Sequence, residues 1–205
     1  MNKPSVVDHP AALNPETEIW WDSSPLVFGN SKFRMLEEAQ PASRADLEEP
    51  LPRLFNEDDP ASSLVCGVTT NPPMSLPAIE AKSDIFAPFI HELSRDLPYA
   101  DAKVLFWRAY LKVVRLGSAA VMLIWETSNH RLGDLSAQVD PRFTFNEELM
   151  FSQAPELAAQ SPNVMITCPG TREGIRLIQA LIPSVLFRPL SSRVDPDCMP
   201  AWAQP

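Results

Sequence analysis

Two hydroxyls and an amide stand together in Thr69-Thr70-Asn71, just after the short apolar run 64–68. The run is partly β-branched and reads as a buried strand. Pro72 and Pro73 follow; they end any ladder and keep Asn71 out of helical angles. Polar side chains are therefore expected at the carboxyl end of a strand, which is where parallel α/β folds bind ligands. The plainer reading of the same string is a polar turn.

The pattern recurs three times. Residues 18–25 run Glu-Ile-Trp-Trp-Asp-Ser-Ser-Pro, so a second short strand delivers Asp22 to its end. Alternation puts Trp20 and Asp22 on one face and Ile19 and Trp21 on the other. A turn or helix cap is the simpler use of Asp22. In residues 135–142, Ser136, Gln138 and Asp140 share one face, and Ala137 and Val139 the other. In residues 163–175, Met165 and Thr167 share a face opposite Val164, Ile166 and Cys168.

The elements that must position these groups are helices. Residues 101–115 are the clearest, with a wide apolar stripe through Val104, Leu105, Trp107, Leu111, Val113 and Val114. Residues 119–125 favour a further buried helix, 145–160 a helix with Glu147 and Glu148 in its first turn, and 171–181 another. Residues 74–92 read as helix interrupted by Pro77 and Pro88. Residues 29–63 read as a polar insertion with at most two short exposed helices, near 32–39 and 45–55. Strands are expected at 17–22, 64–69, 134–140 and 163–168, parallel and adjacent in that order. Residues 1–15 form a loose lead-in, and 182–205 an irregular proline-rich tail in which 184–187 is the one candidate for a fifth strand. Repeated strand, polar strand end and helix is the rhythm of a β/α barrel.

Composition narrows the partners. A length of 205 residues suits one domain with a real core. Net charge is −9 with no basic cluster, so nucleic acid is an unsuitable partner. No run of about 18 apolar residues exists to span a membrane, and residues 1–18 lack the apolar core of a secretory signal. Cys66, Cys168 and Cys198 have no paired spacing and no neighbouring His, which fits reduced thiols in the cytoplasm and no metal site.

Taken together, Asp22, the string Gly-Val-Thr-Thr-Asn-Pro-Pro, Ser-Ala-Gln-Val-Asp-Pro-Arg and Asn-Val-Met-Ile-x-x-Pro-Gly-Thr-x-Glu-Gly-Ile resemble transaldolase. The resemblance runs from about residue 18 to about residue 180, in order. It implies a (β/α)8 barrel and class I aldolase chemistry in sugar-phosphate metabolism of the pentose phosphate type. A lysine Schiff base would carry a dihydroxyacetone unit from a ketose phosphate to an aldose phosphate, without cofactor or metal. By position, Asp22 matches the proton-handling aspartate, and Thr69 and Asn71 the substrate-positioning threonine and asparagine.

Three departures qualify the resemblance. The Schiff-base lysine's place is held by Thr167, whose hydroxyl cannot form the iminium electron sink. The five lysines, Lys3, Lys32, Lys82, Lys103 and Lys112, all fall in the lead-in, the insertion or helical segments. The general-base glutamate is replaced by Gln138, an amide that cannot shuttle a proton near neutral pH, though a glutamine there resembles the related fructose 6-phosphate aldolases. Finally, the family pattern ends near Ala180, whereas a full barrel takes roughly 250 residues. The expectation is a partial barrel of four to five β/α units, catalytically impaired, whose open edge is covered by a second copy or a partner chain. The competing expectations are a non-catalytic sugar-binding or partner protein on the same scaffold, and a product of truncation or altered reading frame without an evolved role. Cys168 is no substitute nucleophile, since alternation turns it away from Thr167 and no general base lies beside it.

Overall fold

The computed structural model describes Asn14 and residues 17–181. The lead-in, apart from Asn14, and the tail with its candidate fifth strand lie outside the described residues. Four strands form one sheet in the order β1 (Ile19–Asp22), β2 (Val65–Thr70), β3 (Asp134–Gln138), β4 (Val164–Thr167). Every neighbouring pair is parallel. With helices between the strands, the architecture is α/β and consistent with a partial (β/α)8 barrel.

Helices start where side chains can satisfy their first N–H groups. After α1 (Phe28–Glu38), α2 (Pro41–Glu48) and α3 (Pro50–Leu54), Asn71 Oδ1 accepts from Met74 N at 2.8 Å and caps the next helix. Helix α4 spans Pro72–Ala81 and α5 spans Ser83–Asp96. Asp101 Oδ1 accepts from Lys103 N and Val104 N at 3.0 and 2.9 Å and caps α6 (Ala102–Ala120). Helix α7 is Met122–Thr127, α8 is Glu147–Ala158 under an Asn146 cap, and α9 is Arg172–Leu181.

Helix α6 is fastened to the sheet at both ends. At the amino end of the strands, buried Asn163 donates through Nδ2 to Ser118 O at 3.0 Å and to Gly133 O at 2.9 Å. At the carboxyl end, the Tyr110 hydroxyl reaches the backbone of β3. Between the two, Tyr110 and Val114 pack with Val68, Leu135, Ala137 and Val164 in the main core, which Met150, Leu157 and Leu177 extend. Gly133 holds the turn into β3 with φ +81°, and a Cβ there would lie 2.3 Å from Trp125 N.

Several expectations need correction. The segment 29–63 has its mostly exposed helices near the expected places, but they are three rather than at most two, and the segment is not all surface. It carries α2, α3 and most of α1, it buries Leu51, and it sends Phe55 into the core beside Phe28. Phe28 meets Trp21 and Phe55 edge-on at 5.3 and 5.4 Å. A few well-placed apolar side chains suffice to anchor a segment whose other positions are charged. Pro77 and Pro88 do not break their helices; both lie inside α4 and α5, and the break falls at Lys82. Helix α6 runs on past Arg115 to Ala120, and at Gly117 it lies close to the sheet: a Cβ there would meet Leu135 Cδ1 at 2.9 Å. The final residues of β3 also differ. The strand stops at Gln138, so Asp140 leaves the face of Ser136 and Gln138 and turns to the helix side, where its N–H donates to Gln153 Oε1 of α8 at 3.0 Å.

Candidate functional site

Strand register brings the polar ends together. Asp22 pairs with Thr69, Thr69 with Ser136, and Gln138 with Thr167. A common face in parallel strands follows from in-register pairing, so Asp22, Thr69, Ser136, Gln138 and Thr167 lie on one surface of the sheet. Trp20 and Gly67, also paired, lie beneath them on that face. The Trp20 indole lies so close over Gly67 that a Cβ would sit 2.7 Å from the ring, and its Nε1 donates to Glu18 Oε2 at 3.0 Å.

Two hydroxyl contacts tie the strands side chain to side chain. Thr69 Oγ1 donates to Asp22 Oδ1. Ser136 and Thr167 share a hydrogen bond between their hydroxyls. Asp22 and Thr167 are exposed, Thr69 and Gln138 half-buried, and Ser136 buried. The Gln138 side-chain amide makes no hydrogen bond among the described residues, although its backbone is held on both sides by Tyr110: O–H to O and N–H to Oη, each at 3.0 Å. Asn71, just past β2, spends Oδ1 on its helix cap and keeps Nδ2 as a donor.

The face thus offers one carboxylate, three hydroxyls and two amides, a set suited to holding a polyhydroxy ligand. It offers no amine. Among the described residues Lys32 lies in α1, Lys82 follows α4 and Lys103 opens α6. Lys112 sits over the Phe89 ring, 4.0 Å from its centroid. Cys168 packs against the main core, and burial pushes its thiol up to about 11, far from a thiolate at neutral pH. No group of three or more His, Cys, Asp or Glu side chains among the described residues is placed to hold a metal ion.

Ser136 and Tyr110 carry more of this geometry than the local sequence signals. Ser136 is implied by strand alternation, and its hydroxyl partner Thr167 lies on the neighbouring strand. Tyr110 has no local signal, since in α6 it is one aromatic among many and only the packing of helix on sheet brings its hydroxyl to Gln138. Burial, offset in part by the Gln138 backbone bond and reinforced by the Asp140 charge, holds this phenol well above its ordinary range.

A family model described as Transaldolase/Fructose-6-phosphate aldolase matches residues 60–184. Curated transaldolases from two strains of Mycobacterium leprae, Br4923 and TN, are each 31% identical to this chain over 120 residues. That stretch is 58% of this chain and 31% of each relative, so the chain spans under a third of the length of the proteins it matches. Thr69, Asn71, Gln138 and Thr167 fall inside the matched range, and Asp22 lies before it, linked to it by the bond from Thr69.

Proposed function

This chain belongs to the transaldolase/fructose-6-phosphate aldolase family, and on that premise we propose that it binds a sugar phosphate at the carboxyl ends of its strands without forming a Schiff base. The observation that carries this reading is Thr167. It occupies the place at which the resemblance expects the lysine, and its hydroxyl is engaged by Ser136. In the family reaction an amine adds to the ketose carbonyl and water leaves. The resulting iminium then takes up the electron pair of the breaking carbon–carbon bond. A threonine hydroxyl adding to the same carbonyl gives a hemiketal, which takes up no electron pair. Gln138 in the place of a carboxylate removes a base from the same face. What stays is recognition: Asp22 to accept from sugar hydroxyls, Thr69, Asn71 and Gln138 to donate and accept.

The chain on this reading is a transaldolase-like protein of sugar-phosphate metabolism, catalytically impaired and cytoplasmic, in keeping with the free thiols of Cys66 and Cys168. A second copy or a partner chain covers β1 and β4, the outer strands of the described sheet. No helix among the described residues is long and apolar enough to cross a membrane.

The test is borohydride trapping with fructose 6-phosphate, read by intact mass. The native chain is expected to show no covalent adduct, while calorimetry shows saturable binding in the range of about 1 mM. A stoichiometric adduct on the native chain would overturn the reading. Thr167→Lys restores an amine at the end of β4, and an adduct in that variant alone would trace the loss to this one position.

A further inference from the structure

On the helix side of the sheet, beside the end of β3, a cleft of about 550 Å3 lies between the first turns of α6, the turn after β3 and α8. Neither Asp22 nor Thr69 lines it. Its polar groups are unevenly used. All three carboxylates are engaged. Asp101 caps α6 through Oδ1. Asp140, 2% exposed, accepts from the Arg142 backbone N–H, Nε and Nη2. Glu156 Oε2 accepts from Trp107 Nε1 at 3.2 Å and from Arg108 Nη1 at 3.3 Å.

The donors are not so occupied. Lys103 is exposed and makes no ion pair among the described residues. Arg142 is clamped to Asp140 through Nε and Nη2, which leaves Nη1 open on a side chain 40% exposed. Gln153 is the sharper signal. The residue is 7% exposed, its Oε1 accepts from Asp140 N at 3.0 Å, and its Nε2, which bonds no protein group among the described residues, is left open to the cleft. With Oε1 held by the Asp140 N–H, Nε2 is a donor of fixed orientation presented to whatever enters the cleft. Val104, 42% exposed, and half-buried Phe143 supply an apolar wall beside these donors.

We propose that this cleft, lined by Lys103, Arg142 and Gln153 with Val104 and Phe143 beside them, binds a small phosphate monoester carrying a planar or apolar body. Three donors from three separate elements suit the three terminal oxygens of a phosphate, and the Asp140 clamp holds the guanidinium ready for it. The cleft is separate from the strand-end face, so it stands whether or not a sugar phosphate binds there.

Phenyl phosphate is the probe, titrated calorimetrically into the full chain at low ionic strength, with phenol as its uncharged counterpart. The expected result is saturable one-site binding of phenyl phosphate and none of phenol. Lys103→Glu, on an exposed helical position, should weaken binding by about tenfold or more, and Lys103→Met should weaken it less. Lys32→Glu in α1 and Thr69→Val at the strand end should each leave it within twofold. Folding of each variant is checked by circular dichroism. The proposal is overturned if the native chain does not bind phenyl phosphate, if the folded Lys103→Glu variant binds it as the native chain does, or if Thr69→Val abolishes binding.

Discussion

Replacing Tyr110 by Phe removes one oxygen from a fully buried side chain and leaves its ring in place. The ring keeps its contact with Trp107, centroids 5.4 Å apart, so little packing is lost. Among the described residues the hydroxyl makes the hydrogen-bonded joint between α6 and the carboxyl end of β3. It donates to Gln138 O at 3.0 Å, lies 3.4 Å from Thr70 O, and accepts from Gln138 N at 3.0 Å. Without it the Gln138 N–H and C=O lose their shared partner. An orphaned buried polar group costs about 1–3 kcal/mol, and Gln138 is half-buried, so water recovers part of the loss. The expected destabilisation is about 2 kcal/mol. For a chain of this size that lowers the melting temperature by about 4–8 °C. Urea unfolding should show a lower midpoint with an unchanged slope, since the same surface is exposed. Tyr99→Phe, at a fully exposed position, is the control and should move stability by less than about 0.5 kcal/mol. A loss below about 0.5 kcal/mol in Tyr110→Phe would refute the idea that this hydroxyl fastens helix to sheet. The same variant carries a pH signature. Burial raises the Tyr110 phenol above its ordinary 10.0, so the unfolded chain ionises first. Stability tied to this group is present below pH 10.0 and is lost as pH climbs past it; Tyr110→Phe should flatten that alkaline limb.

Two further substitutions probe the neighbouring turns. A Cβ at Gly174 would stand 2.0 Å from Pro169 O, so Gly174→Ala must displace α9 from the turn after β4 and should cost about 1–3 kcal/mol in urea unfolding. Gly170→Ala, with nothing within 4 Å, should stay within about 0.5 kcal/mol of the native chain. At Asp140 burial opposes the charge, but hydrogen bonds from the Arg142 side chain and backbone, with the Arg142 and Lys103 charges, outweigh it and hold the carboxyl below its ordinary 3.8. The stability it contributes is present above pH 3.8 and lost as pH falls below it. Asp140→Asn should cost about 2 kcal/mol at neutral pH, moderated by the partial exposure of Arg142, and should flatten the acid limb of the stability profile measured by denaturant titration.

The four strands were legible because each carries its signal locally. A short apolar run, alternation across two faces and a proline-closed turn lie within a few residues of one another, and their polar ends name Asp22, Thr69, Asn71, Gln138 and Thr167 without reference to the rest of the chain. The caps Asn71, Asp101 and Asn146 are local as well, since each side chain bonds an N–H two or three residues on. Other features depended on neighbours far along the chain. The segment 29–63 reads as surface by composition, yet Leu51 is buried and Phe55 is a core residue packed edge-on against Phe28, which in turn meets Trp21. The close approach of Gly117 to Leu135 has no signal in the neighbouring residues. Asp140 reads as a strand-face residue and instead faces Gln153, because the ladder ends two residues earlier. Tyr110, Ser136 and Thr167 acquire their partners only when α6 packs on the sheet and β3 pairs with β4. The difference is one of range. Backbone angles, alternation and capping act over a few residues and leave a pattern in the string. Burial and side-chain pairing across strands are made by surfaces that meet only in three dimensions, and no window along the chain contains both partners.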